Sequence, residues 1–215
     1  MKKTIFAVIF ILILAACSDS GSNGGSSSES KNVATGTDGI TFSFSPNNPP
    51  SSIRGSKLSV AVEYYNKGTH PVSNLVFYLH GYDPSILFGG QVKSFSSPKI
   101  EGKNEYNKIG SQSYFAQWET SINKPNGEGQ FPQQLFVTAC YGYKTIAEPS
   151  ICIDPNQDDV SSDYAGKCSF SVQGLGSSQG APIAVTSVKQ SIADGIIYLE
   201  IVVENKGKGS PFPLF

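Results

Sequence analysis

Residues 58–68 read LSVAVEYYNKG. Leu58, Val60, Val62 and Tyr64 alternate with Ser59, Ala61 and Glu63. A period of two places the four apolar side chains on one face of a strand. Asn66-Lys67-Gly68 follows, and Asn and Gly both tolerate positive φ, so a turn is expected there. Residues 197–207 read IYLEIVVENKG and repeat the arrangement 139 positions later. Ile197, Leu199, Ile201 and Val203 take the alternating places, and Asn205-Lys206-Gly207 closes the unit.

The same period extends on both sides of the first copy. Ile40, Phe42 and Phe44 alternate, as do Leu75, Phe77 and Leu79. Tyr114, Ala116, Trp118, Thr120 and Ile122 form another set; Leu135, Val137, Ala139, Tyr141 and Tyr143 form a fifth; Ile151 and Ile153 make a short sixth. Pro49-Pro50, Gly89-Gly90 and Asn126-Gly127 punctuate them. The long stretch 86–110 has room for one more strand near Val92–Phe95 and an exposed excursion. No stretch carries a helical period. The expected fold is all-β: an antiparallel immunoglobulin-like β-sandwich over 38–172, a hinge at 173–180, and a partial second β unit of about three strands over 181–215.

The strand closed by Asn-Lys-Gly resembles CARDB-like and related immunoglobulin-like domains of prokaryotic, especially archaeal, cell-surface proteins. The resemblance covers Gly39 to Asp154 and restarts near Ala181. It implies a seven-stranded sandwich used as a spacer or adhesive module, and it brings no catalytic residues. By the 139 spacing, Phe215 corresponds to Val76 in the third strand of the first copy. The second copy thus lacks the strands that close a core. Three outcomes stay open: a longer natural chain, packing of the extra strands on the first unit, or completion by a strand from another molecule.

The N-terminus sets the location. Lys2 and Lys3 precede an apolar run from Ile5 to Ala16, twelve residues long. Such a helix reaches about 18 Å, short of the ~30 Å hydrocarbon core, so residues 1–16 read as a secretory signal. Leu14-Ala15-Ala16-Cys17 resembles the lipobox of prokaryotic lipoproteins, which implies lipidation of Cys17 and cleavage before it. Residues 17–37 then form a tether. Seven Ser and four Gly among the twenty residues Ser18–Thr37 cannot bury enough surface to offset ordering entropy, so disorder is expected. The membrane is the expected partner, through the two acyl chains that the lipobox resemblance implies on Cys17; one chain alone would hold only weakly.

Composition limits the function. The 215 residues carry 16 Lys and Arg against 17 Asp and Glu; without Lys2 and Lys3 the balance is 14 against 17, a net charge of −3. No basic surface for nucleic acid is expected. Cys140, Cys152 and Cys168 remain after lipidation, in an oxidising compartment. A turn near Ile146 would bring Cys140 opposite Cys152 across a hairpin; Cys168 is the alternative partner or a free thiol. Asp154, Asn156 and Asp158 concentrate oxygen ligands after a strand, a candidate structural calcium site. Asp159 and Ala165 stand where an EF-hand needs Gly and Glu, so an acidic solvated loop is the competing reading. No other cofactor is expected.

Two fragments look catalytic. Phe77-Tyr78-Leu79-His80-Gly81 resembles the oxyanion strand of α/β-hydrolases, and Gly176-Ser177-Ser178-Gln179-Gly180 fits the nucleophile elbow. No His follows Ser178, and the parallel βαβ units of that fold are missing, so no catalytic residue is assigned. Alternation places Tyr64, Tyr141 and Tyr143 in a core and leaves Tyr65, Tyr78 and Tyr82 for the surface. The expected function is that of a non-enzymatic, lipid-anchored, extracytoplasmic protein with a structural, adhesive or assembly role among cell-surface proteins or glycans. The alternatives are a solute- or glycan-binding lipoprotein and a filament subunit completed by strand donation.

Overall fold

The computed structural model describes residues 33–50, 56–91, 93–123, 129–153, 172–193 and 196–212. These residues all lie in one compact unit. They form β1 (Ile40–Phe44), β2 (Lys57–Asn66), β3 (Val76–His80), β4 (Lys93–Ser96), β5 (Tyr114–Ser121), β6 (Phe136–Cys140), β7 (Val172–Gly174), β8 (Ile183–Ala193) and β9 (Ile196–Asn205). A single 3-10 turn at Phe88–Gly90 completes the regular structure of the described residues. The chain is all-β, in three antiparallel sheets ordered β1-β2-β5, β4-β3-β6 and β7-β8-β9.

The first two sheets face each other as a sandwich. β2 is central in the first, paired with β1 from Ile40↔Asn66 to Phe44↔Val62 and with β5 from Lys57↔Ser121 to Tyr64↔Tyr114. Its alternation is read out as burial: Leu58, Val60, Val62 and Tyr64 point into the core, with Ala116 and Trp118 beside them on β5. The opposing sheet supplies Leu75, Phe77 and Leu79. Aromatic rings bridge the layers. The Tyr64 and Phe77 centroids lie 4.8 Å apart, and Phe95 meets Trp118 edge-on at 6.3 Å. Contacts of this kind stabilise by about 0.5–1.5 kcal/mol beyond their buried area. Strands β1, β2 and β5 opposite β3 and β6 reproduce the A-B-E and C-F distribution of immunoglobulin-like sandwiches, with β4 as an extra strand beside C.

The stretch 86–110 holds the extra strand β4, one residue later than its expected start. Ile86, Leu87 and Phe88 plug the core before it, while Tyr106 and Ile109 stand in solvent after it.

The third sheet departs from the expected plan in two ways. β7 enters the segment expected as a hinge and pairs with β8 from Val172↔Lys189 to Gly174↔Ser187. Gly180 is also pinned to the sandwich: its carbonyl accepts from Thr69 N (2.9 Å), Thr69 Oγ1 (3.3 Å) and Tyr143 Oη (3.0 Å). The end of the expected disordered tether docks in the same place. Gly180 N donates to Gly36 O at 2.8 Å, Gly36 N to Ser178 Oγ at 2.6 Å, and Lys103 Nζ to Thr35 O at 3.0 Å. These bonds offset part of the entropy lost on ordering Thr35 and Gly36.

Ile151 and Ile153 belong to no strand. The segment leaving β6 runs extended along β8 instead. Thr145 Oγ1 donates to Ile183 O (2.6 Å) and Gln190 Nε2 to Cys152 O (2.7 Å), both across a sequence separation of 38. Between them, Ser150 N donates to the side chain of Gln173, the register partner of Val188. The constant offset makes residues 145–152 a strap in step with β8.

Candidate functional site

The repeated strand is where the molecule departs from a closed sandwich. Both copies end in the same turn. Asn66 Oδ1 accepts from Gly68 N at 3.1 Å, and Asn66 Nδ2 donates to His70 O at 2.8 Å. Asn205 Oδ1 accepts from Gly207 N at 3.1 Å, and Asn205 Nδ2 donates to Gly209 O at 2.7 Å. Each Asn side chain thus closes the turn on residues two and four positions ahead. Lys67 N donates to Gly39 O and Lys206 N to Pro182 O, just before the paired strands β1 and β8 begin.

The reason for Asn and Gly differs from the one expected from sequence. Neither Asn nor either Gly of these turns has positive φ. Close approach is what requires the glycines. A Cβ on Gly68 would lie 1.7 Å from Tyr143 Oη and 2.8 Å from Gly180 O, and one on Gly207 would lie 2.6 Å from Pro182 Cβ.

Burial separates the copies. On β2 the inward residues Val60, Val62 and Tyr64 are 0 % exposed. Their counterparts Leu199, Ile201 and Val203 are 45, 56 and 57 % exposed. β9 pairs with β8 along its whole length, Ile183↔Asn205 to Ala193↔Ile196, with one irregularity between Val185 and Ser187. Val188 and Gln190, opposite Ile201 and Leu199 on the same face, are buried under the 145–152 strap. The strap covers the β8 half of this apolar face and leaves the β9 half open.

The expected site residues fall as follows. Cys17, Cys168, Asp154, Asn156 and Asp158 lie outside the described residues. The expected Cys140–Cys152 bridge is corrected: Cys140 is a free, half-buried thiol, and Cys152 is disulfide-bonded to a partner outside the described residues. The cause is the strap. A hairpin after β6 would return Cys152 to Cys140, whereas the chain continues along β8 and its Cys152 carbonyl is held by Gln190. Among the described residues no three His, Cys, Asp or Glu side chains converge as metal ligands.

Ser178 and His80 are engaged separately. Ser178 Oγ accepts from Gly36 N, while His80 Nε2 bonds Thr138 Oγ1 at 2.9 Å and its ring stacks on Phe136 at 5.8 Å. Tyr64 is fully buried, and Tyr141 and Tyr143 pack against the core, as the alternation required. Burial, above all, pushes the phenols of Tyr141 and Tyr143 above the ordinary value of 10.0; hydrogen bonds from Ile40 N and His70 N oppose it. Tyr78 is exposed as expected, but Tyr82 packs on Phe88 with centroids 4.9 Å apart.

A shallow cleft of about 440 Å3 opens beside the outer face of β3 and β6, lined by Gly81, Asp83, Pro132, Gln133 and Gln134. The Phe136 ring closes over Gly81 at its edge. Hydrogen bonds from Ser85 hold the pKa of the Asp83 carboxyl below its ordinary value.

Sequence reasoning missed the strap, the docking of Thr35 and Gly36, and the pinning of Gly180. Their partners are single polar groups far apart in the chain, and no period or motif announces such pairs. No family model matches the chain, and no curated protein is similar to it.

Proposed function

We propose that this chain is a lipid-anchored protein of the extracytoplasmic side of the membrane, and that it works by assembling with other surface molecules through its strands. The observation that carries the reading is β9: an alternating apolar strand whose copy in the same chain forms the centre of a core stands here with both faces in solvent. An exposed row of Ile, Leu and Val costs about 25 cal/mol for each Å2 kept in water, so a covering partner gains stability from it. The lipobox-like Leu14-Ala15-Ala16-Cys17 and the Ser/Gly-rich stretch after it support the membrane location. The likeness of the strand–Asn-Lys-Gly unit to CARDB-like surface modules supports an adhesive or spacer role.

Fractionation tests the anchor. Cys17→Ser should move the protein from the membrane pellet to the soluble fraction, and retention of that variant in the pellet contradicts the anchor. A second reading, glycan binding, draws on Tyr78, His80 and Phe136, which share the outer face of β3 and β6 next to the cleft. Phe136→Ala should then abolish retention on immobilised cell-wall glycan, and unchanged retention, or none in the parent, removes that reading.

A further inference from the structure

We propose that β9 pairs antiparallel with β9 of a second copy of this chain, centred on Ile201. The proposal rests on the assembly reading above and names its partner. β2 shows what this strand pattern takes up when it is closed: β1 on one side and β5 on the other. β9 has β8 in the place of β1, and among the described residues nothing in the place of β5. Its outer row of N–H and C=O groups is therefore a template for another strand. The usual protections of such an edge are charged side chains, Pro and bulges. β9 reads IIYLEIVVEN, with no Lys and no Pro; its two charges, Glu200 and Glu204, share one face and leave the Leu199–Ile201–Val203 face uncharged, and the one irregularity of the hairpin sits at Val185/Ser187 on β8 rather than on β9.

The sequence of β9 selects a self-pairing register. Residues directly opposite in an antiparallel pair share a face, so a two-fold pairing must set odd positions against odd and even against even. Centring on Glu200 sets two carboxylates opposite each other, and centring on Val202 sets Glu200 opposite Glu204 twice. Like charges in such positions destabilise the pair. Centring on Leu199 avoids them but pairs only residues 196–202 and leaves Val203, Glu204 and Asn205 without partners. Centring on Ile201 sets Ile201 against itself, Leu199 against Val203, Glu200 against Val202 and Glu204 against Tyr198. It keeps residues 197–205 in register and opposes no like charges. Centring on Val203 also avoids them, but it pairs only residues 201–205 of β9 and leaves the apolar residues Ile196, Ile197 and Leu199 unpaired. The result is an isologous two-fold contact that joins two three-stranded sheets into one continuous sheet.

The test uses the full-length, lipidated chain in native membranes, with Cys140→Ser to remove the free thiol. Directly opposite residues in an antiparallel pair have Cα atoms about 4.5–5.5 Å apart, within the range a disulfide spans. Ile201→Cys should run chiefly as a reducible homodimer after mild oxidation, and co-expressed Leu199→Cys and Val203→Cys chains should cross-link to each other. Tyr106→Cys, at a residue 97 % exposed on the loop after β4, should stay monomeric. Ile201→Lys, at an exposed position that tolerates the charge, should halve the native size of the unoxidised complex. A homodimer yield from Ile201→Cys no greater than from Tyr106→Cys overturns the proposal. If the Ile201→Cys chain instead links to a different protein, the assembly reading stands with another occupant. If it links to nothing and Ile201→Lys leaves the size unchanged, both fall.

Discussion

β2 and β9 are the same strand in two environments. Each is ten residues long, each presents apolar side chains at alternate positions, and each ends in an Asn that closes an identical pair of hydrogen bonds. β2 has a neighbour on both edges and a second sheet over its apolar face. Among the described residues β9 has one neighbour, and its apolar face stands in solvent. Local pattern thus specifies the strand, its faces and its turn, and leaves open whether the apolar face is spent on the fold or presented to a partner. Paired substitutions at equivalent positions separate these uses.

The largest contrast is expected in the apolar row. Leu58→Ala empties a site 4 % exposed in the sandwich core and should destabilise by about 2–5 kcal/mol. Ile197→Ala, at the equivalent position, should cost under about 1 kcal/mol. Urea denaturation of both variants measures the difference, and equal losses would mean that β9 is as enclosed as β2.

The turns should differ less. Asn66 is 0 % exposed, so Asn66→Ala leaves Gly68 N and His70 O short of a buried partner and should cost about 1–3 kcal/mol. Asn205→Ala breaks the same two bonds in solvent, where water replaces them, and should cost about 0.5 kcal/mol. A cost at Asn205 matching that at Asn66 would show that the bonds, not their burial, set the stability of the turn.

The smallest effect distinguishes the turns by pH. Tyr143 packs against Gly68 and donates to Gly180 O, whereas the atoms that crowd Gly207 belong to Pro182 and Asn205. The Tyr143 phenol is raised above 10.0, chiefly by burial, so the folded state holds the proton more tightly than the unfolded chain. That contribution is fully present below about pH 10 and is lost as pH rises through the folded value. Tyr143→Phe should lose about 1 kcal/mol at neutral pH and unfold less steeply in alkali. An unchanged alkaline limb would remove Tyr143 as its source.

Much of the fold was legible because period two survives wherever a face is buried. Leu58–Tyr64, Leu75–Leu79 and Tyr114–Thr120 each read directly as strands of the sandwich. Ile151 and Ile153 carry the same period and form no strand, because their segment lies over β8 and is held through side chains. Cys140 and Cys152 looked like a hairpin pair for the same reason, and the strap separates them. The repeat of Asn-Lys-Gly was visible at once, but the exposure of β9 was not. Leu199 and Val60 look alike in sequence, and only the presence of a second layer distinguishes them.

The proposed pairing of β9 between chains is open to amide hydrogen exchange of the full-length protein, followed across a dilution series. Protection of β9 amides should rise with protein concentration while protection of β2 stays constant. Amides of β9 that are as protected as those of β2 at every dilution, or that gain nothing on concentration, would contradict it.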